Sequence, residues 1–422
     1  MSETPPTFDP SAPRTDVVVV GAGLAGLAAA RLARQAGLSV TVLDAQSAGG
    51  RGRTDERRGF LFNRGPHALY LGGHAHRVLS SLGVHPAGNP PATGGCGLRG
   101  DHIAVLPGGA ASLLRTTLLG WRGKVAFGKL LGGLARVHTG GLASVTFAEW
   151  LDDQRLPTDA RQLVEAVARV ATYSNASDIV SADMVVGQIQ LGMATGVRYV
   201  DGGWQTIVDA LAAEVTVHRF PVAHIEHSGS DVVVSATHGE RLVAKAVVLA
   251  VGTPAATATL LGRDPFDVGP PIEAACLDLG TSASAQPSLL LGLDTPLYLS
   301  DHGRSARLAE RDSSVVHVAR YLRPGEATEP RLQSAELLQL AARVGINEEQ
   351  IVEHRYLHRL TVAGALPTAG LGGLPGRPAV TASGVGGVFL AGDWVGARGH
   401  LLDASLASAQ EAVAAAVRLV RR

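Results

Sequence analysis

Lysine is nearly missing from this chain of 422 residues: Lys124, Lys129 and Lys245 are the whole set, and arginine carries the remaining cationic charge. Few amines are therefore available for a catalytic role. Cysteine is as scarce. Cys96 and Cys276 stand far apart with no C-x-x-C pair, which excludes a disulfide framework or a zinc knuckle and suits free thiols in a reducing cytoplasm. Net charge is absent too, with 37 basic and 37 acidic residues, so no nucleic acid or other polyanion is called for as a partner. No apolar run reaches the roughly eighteen residues of a membrane span. Residues 1–14, rich in Pro, Ser and Thr, read as a disordered leader rather than a signal peptide.

Apolar and small residues dominate what is present. A hydrophobic fraction of 46% is ample for real cores, and the length calls for two domains or one discontinuous pair. Near the N-terminus, Asp16-Val-Val-Val-Val-Gly21-Ala22-Gly23-Leu24-Ala25-Gly26 reads as a strand, a glycine turn and the start of a helix. A second strand ends at Asp44, followed by Ala45. Gly21 permits the tight turn, Gly23 lets backbone approach a pyrophosphate, and Gly26 lets the helix pack close to the sheet. The helix N-terminus offers N–H groups and a positive dipole end to phosphate. Asp44 lies about twenty residues past the glycines, where a carboxylate accepts ribose hydroxyls.

A flexible cationic loop, Gly49-Gly50-Arg51-Gly52-Arg53, comes next, and then Gly65-Pro66-His67. Residues 75–200 read as mostly helical, with apolar spacing over 112–137, 147–156 and 159–173. Short β-rich segments follow at 215–217, 222–226, 232–236 and 246–251, then 288–293 and 315–321, with a helix at 331–344 between the latter and the C-terminal region. The chain closes on an apolar strand that delivers Gly392-Asp393 and a long Ala-rich helix over about 402–420. Asp393 suits a ribityl hydroxyl, and the amides near Leu401 and Leu402 suit developing negative charge. The bland alternative is a surface turn beside a helix capped by Asp403. Two such sites at opposite ends of the chain suit FAD better than NAD.

Together, Gly21-Ala-Gly23-Leu-Ala-Gly26, Asp44, Gly49-Gly50-Arg51 and Gly392-Asp393-Trp394 resemble the FAD-dependent amine oxidase superfamily, and within it the phytoene desaturase-like NAD(P)/FAD-dependent oxidoreductases. Gly202-Gly203-Trp204, Phe220-Pro-Val222 and Val247–Pro254 extend the resemblance. It implies an α/β fold: a Rossmann-like, GR2-type FAD-binding domain (15–75, 200–264 and 366–422) with a discontinuous α+β substrate domain (76–199 and 265–365). By the same resemblance, residues 21–26 and Gly50, Arg51 and Arg53 serve the pyrophosphate, and Asp44 with Ala45 the adenosine ribose. Val222 gives a backbone contact to adenine, Gly65, Pro66 and His67 line the isoalloxazine, and Gly392 and Asp393 meet the ribityl region. Leu401 and Leu402 place amides at the flavin N1–C2 edge. FAD is expected to be non-covalent, since no cysteine lies near the C-terminal motif.

The resemblance implies an oxidoreductase, a desaturase, dehydrogenase or oxidase that takes a hydride from a largely apolar organic molecule onto flavin N5 and passes electrons to O2 or another acceptor. Two departures weaken an amine or amino-acid oxidase. No lysine fits the position where many amine oxidases hold a water beside the flavin, and no second aromatic wall pairs with Trp394. The same fold also serves prenyl-lipid escort proteins without redox chemistry.

His67 is the acid–base candidate, against a histidine bonded to backbone or cofactor. Tyr70, Trp394, Arg398 and His400 either line a substrate pocket or belong to the core and to a surface loop. His354 and His358 have a four-residue spacing without a carboxylate to complete a metal site, so no metal is expected. The basic stretch 113–137, with Trp121 and Phe127, reads as a roof over the substrate domain in preference to a membrane-contacting surface.

Overall fold

The computed structural model describes residues 14–422. The expected leader lies outside them except for Arg14, which is ion-paired with Asp231.

Val17 to Val20 are all buried because the sheet they belong to is covered on both faces. Strands Val217–Arg219, Val40–Asp44, Thr15–Val20 and Arg241–Leu249 lie side by side in parallel. The last of them forks. Val247–Leu249 continues in parallel to Val388–Leu390, while its first half pairs antiparallel with Asp231–Ala236, which carries Val222–Ser228. Helix Leu24–Gln35 and closing helix Leu402–Val420 pack on one face through Ala28, Ala29, Ala409 and Ala412, whose small side chains let the backbones approach.

The second sheet runs in the order Ile351–Ala363, Ile272–Thr281, Ser314–Tyr321, Leu297–Asp301, Leu289–Gly292, Cys96–Arg99, His102–Val105. It is antiparallel apart from the parallel pair Leu289–Gly292 and Cys96–Arg99. Period-two alternation decides its faces. Leu277, Leu279, Val316 and Val318 pack under helix Pro330–Ala342. On the other face, Ala274, Cys276, Ala319 and Tyr321 share a core with cap helices Trp121–Leu134, Thr158–Thr172 and Ala182–Thr195.

The expected helical stretch 75–200 also contains strands. Cys96–Arg99 and His102–Val105 form a hairpin that ends the second sheet, and Val197–Val200 pairs with Leu69–Tyr70 and Gly88–Asn89. Elements this short are too brief to establish an alternating pattern in sequence.

Candidate active site

Gly21 ends the first strand with φ of +102°, and a Cβ there would run into the Ala250 carbonyl. A Cβ on Gly26 would overlap the Gly21 carbonyl oxygen, so the helix starts tight against the strand. Gly23 is different: nothing lies within 4 Å of a Cβ built on it. The helix beside this open space has no side-chain cap and no acid in its first turn, which leaves the N–H groups of Leu24, Ala25 and Gly26 available to an anion. Asp44 accepts hydrogen bonds from the amides of Ala22 at 2.6 Å and Gln46 at 2.7 Å, fixing its carboxylate next to the turn.

The cationic loop is stacked on that turn. Gly49 N–H donates to the Ala22 carbonyl at 2.8 Å, and a Cβ on Gly50 would sit 3.5 Å from Gly23 Cα. Arg51 then reaches across to the C-terminal motif: Nη1 donates to Asp393 Oδ2 at 2.6 Å and to the Val362 carbonyl at 2.9 Å, and Nη2 to the Gly252 carbonyl at 3.2 Å. Its Nε–H and one Nη2–H are not engaged by protein acceptors among the described residues. Arg53 stays near Asp55, 3.8 Å away.

Asp393 is buried rather than in a surface turn, with Oδ1 accepting from Gly364 N–H at 3.1 Å. Arg377 braces this loop by donating to the Asp393 and Gly399 carbonyls, and burial lowers its pKa to about 10. Leu401 precedes the closing helix at φ +53°, a conformation that strains a branched side chain. No side chain caps that helix either. An open glycine cradle, two uncapped helix starts and partly committed arginine donors fit a dinucleotide that spans both motifs.

Residues 65–67 are held from the other side by the cap and the second sheet. Gly65 lies against Leu360 and Cys276, and Tyr173 O–H donates to the Pro66 carbonyl. Tyr173 ends helix Thr158–Thr172 in the left-handed region at φ +60° and meets Tyr321 edge-on at 5.7 Å. His67 is half-buried, packs on Trp204 at 4.5 Å, and donates from Nδ1 to the Gly65 carbonyl at 2.8 Å. That bond fixes the neutral tautomer with its lone pair on Nε2. Desolvation pulls the His67 pKa down to about 4. Burial raises Tyr70 to about 12 and Tyr173 and Tyr321 well above the ordinary value.

A polar row escaped the sequence reading. Arg355, Asp278, His317 and Ser300 stand in register across four strands. Asp278 Oδ1 meets His317 Nδ1 at 2.6 Å, Oδ2 accepts from Arg355 Nε at 3.0 Å, and Arg355 continues to Asp55 and the Asn63 carbonyl. Ser300 bonds Tyr199, which stacks on His302 at 3.7 Å. The signal available in sequence was Asp278 between Leu277 and Leu279, and His317 between Val316 and Val318.

The remaining candidates separate. His400 is not on a surface loop: it is buried, donates from Nε2 to the Thr172 carbonyl at 3.0 Å, and desolvation lowers it to about 4. Tyr70 O–H reaches the adjoining Ala171 carbonyl at 3.3 Å. Trp394 packs on Phe266 in the core of the first sheet, and Arg398 turns to Glu411 on the closing helix. Gly392 N–H donates to Ser408 Oγ, Leu402 opens the closing helix, and Val222 pairs with Ala236 at the sheet edge. His354 and His358 share one strand, where His358 bonds Thr328 and Tyr356.

Comparison with known proteins accords with this geometry. Putrescine oxidase bound to putrescine superposes with a TM-score of 0.74 at 18% identity, covering 97% of this chain and 99% of that one. Cyclohexylamine oxidase from Brevibacterium oxydans superposes with a TM-score of 0.67 at 18% identity, over 97% and 100% of the two chains. Both likenesses establish the fold. A phytoene desaturase from Cercospora nicotianae is 42% identical over 73 residues, 17% of this chain and 12% of that protein's length. The family described as flavin containing amine oxidoreductase matches residues 24–285, more than half of the chain. The protein belongs to that family and is an FAD-dependent oxidoreductase.

Proposed function

We propose that the protein oxidises a largely apolar, uncharged small molecule, with FAD held non-covalently between the glycine turn and Asp393. The observation that carries this reading is the neutrality of the surroundings of residues 65–67. His67 and His400 sit at about 4, and Tyr70, Tyr173 and Tyr321 are raised, so all five are uncharged near pH 7. The nearby carboxylates are engaged: Asp393 by Arg51, Asp278 by His317 and Arg355, Asp403 by the Ala75 N–H. A protonated amine would have to compete for carboxylates that already have partners here, and burying an unpaired charge is costly.

FAD, when bound, supplies the acceptor for a hydride from a substrate carbon, and O2 or another oxidant regenerates it. The chain's own contribution is a dry, shaped enclosure and orientation. Gly23 and the first-helix N–H groups would hold the pyrophosphate, Asp44 the ribose, and Arg51 with Asp393 the ribityl–phosphate region. His67 offers a lone pair at Nε2 for orientation rather than an imidazolium. None of the three lysines reaches this region: Lys124 donates to the Leu114 carbonyl, Lys129 is exposed on the cap, and Lys245 pairs with Asp231. This supports the apolar reading over amine oxidation.

Anaerobic mixing of the FAD-loaded protein with two panels, neutral polyenes and primary amines, tests it. Bleaching of the flavin by neutral compounds is expected. Bleaching by amines alone would replace it with the amine oxidase reading.

A further inference from the structure

The cap helix Trp121–Leu134 has two faces. Phe127 and Leu134 are buried in the cap core, which accounts for the roof. On the outer face Trp121 is 74% exposed and Val125 51%, and Leu114 in the preceding helix Ala110–Arg115 is 69% exposed. Large apolar side chains so bare, and clustered, are not ordinary surface scatter. Trp121 and Val125 border a groove of about 470 Å3 shared with Lys129, Leu130, Gln154 and Leu156.

The segment that carries this patch has charge of one sign. Arg115, Arg122, Lys129 and Arg136 recur every seven residues and are all exposed, and no Asp or Glu occurs between Asp101 and Glu149. None of the four has a carboxylate partner among the described residues. Of the neighbouring acids, Asp159 is occupied by the N–H groups of Gly120 and Ala160 and Asp152 by Arg161, which leaves the exposed Asp153 beside Gln154 against four cations. A chain with no net charge thus concentrates unpaired cations around its most exposed tryptophan.

From this we infer that the outer face of Trp121–Leu134, with Leu114, docks the protein on an anionic lipid surface. Trp121 and Val125 enter the headgroup boundary while the long basic side chains reach the lipid phosphates. Each cation close to an anionic membrane strengthens binding by about fivefold. Leu130 lines both the outer groove and an apolar gap among Phe127, Leu134, Val186 and Ile189, so the apolar lining continues from the docking face into the cap. The inference rests on the exposed surface and not on the redox reading, whose flavin readout is independent.

The test is co-sedimentation of the full-length, FAD-loaded protein with phosphatidylcholine vesicles, with and without phosphatidylglycerol. The protein is expected to pellet with the anionic vesicles, weakly with the neutral ones, and less at raised salt. Trp121→Ser with Val125→Ser abolishes pelleting, and Arg122→Gln with Lys129→Gln weakens it by about 25-fold. All four side chains are exposed, so flavin content and circular dichroism stay unchanged and report that the variants are folded. A protein that remains in the supernatant with anionic vesicles overturns the inference. So does equal pelleting of the variants, or a wild-type dimer in solution that Trp121→Ser converts to monomer, which would make this face a contact between two copies.

Discussion

Arg51 Nη1 donates to Asp393 Oδ2 across 2.6 Å, joining two loops that are 342 residues apart in the chain. The bond brings the cationic loop of the first βαβ unit onto the acid delivered by the last strand, and in the proposed reading both residues border the cofactor. Arg51→Gln removes both the charge and the fork and is expected to weaken FAD binding by about tenfold to a hundredfold, as loss of a charged hydrogen bond does. Fluorescence titration with FAD measures it. Arg51→Lys keeps the charge without the planar fork and should fall between. Unchanged affinity in Arg51→Gln would remove Arg51 from the cofactor site.

Two glycines in helices should respond in opposite senses. Gly26→Ala drives a methyl into the Gly21 carbonyl and is expected to destabilise by about 1–3 kcal/mol or more. Gly132→Ala, exposed and with nothing near its Cβ, should stabilise by roughly 0.5–1 kcal/mol through lower unfolded-state entropy. Urea denaturation of the two variants reads the contrast.

Asp278 compensates a buried guanidinium. Asp278→Ala leaves Arg355, 6% exposed, without its inner partner and should destabilise by about 3–5 kcal/mol. A loss below about 1 kcal/mol in denaturant melts would mean that Asp55 and the Asn63 carbonyl suffice.

Asp403 carries an opposite pH signature to an ordinary paired acid. Desolvation raises its pKa from 3.8 to about 6, although the Ala75 N–H at 2.6 Å resists the shift. The folded state therefore binds the proton more tightly, and stability falls as pH rises from the lower value through the upper one. At pH 7 and above the penalty is on the order of 3 kcal/mol. Asp403→Asn keeps an acceptor for Ala75 and removes the charge. Its melting temperature should exceed that of the parent at pH 7–8 and converge with it near pH 4; parallel curves at all pH values would reject the assignment.

The elements that carry the proposed cofactor site were legible because they are written in local motifs: Gly21, Gly23 and Gly26 at fixed spacing, Asp44 after a strand, Asp393 before a helix. The fork of Arg241–Leu249 between two partners was not legible, since pairing between distant strands leaves no mark in either strand alone. Tyr173, Tyr321 and the Asp278 row were missed for the same reason: their meaning lies in cross-strand register and in one left-handed residue at a helix end. Sequence leaves His400 between a substrate pocket and a surface loop, because its burial comes from the distant 171–173 segment. The faces of Trp121–Leu134 needed the fold as well, because the pattern that roofs the cap also lines its exterior.

Anaerobic titration of the FAD-loaded protein with uncharged apolar compounds and with primary amines, followed by flavin absorbance, tests the central claim most directly. The account predicts that a neutral apolar compound bleaches the flavin and that amines do not. Bleaching by amines alone, or a purified protein that takes up no flavin, would contradict it.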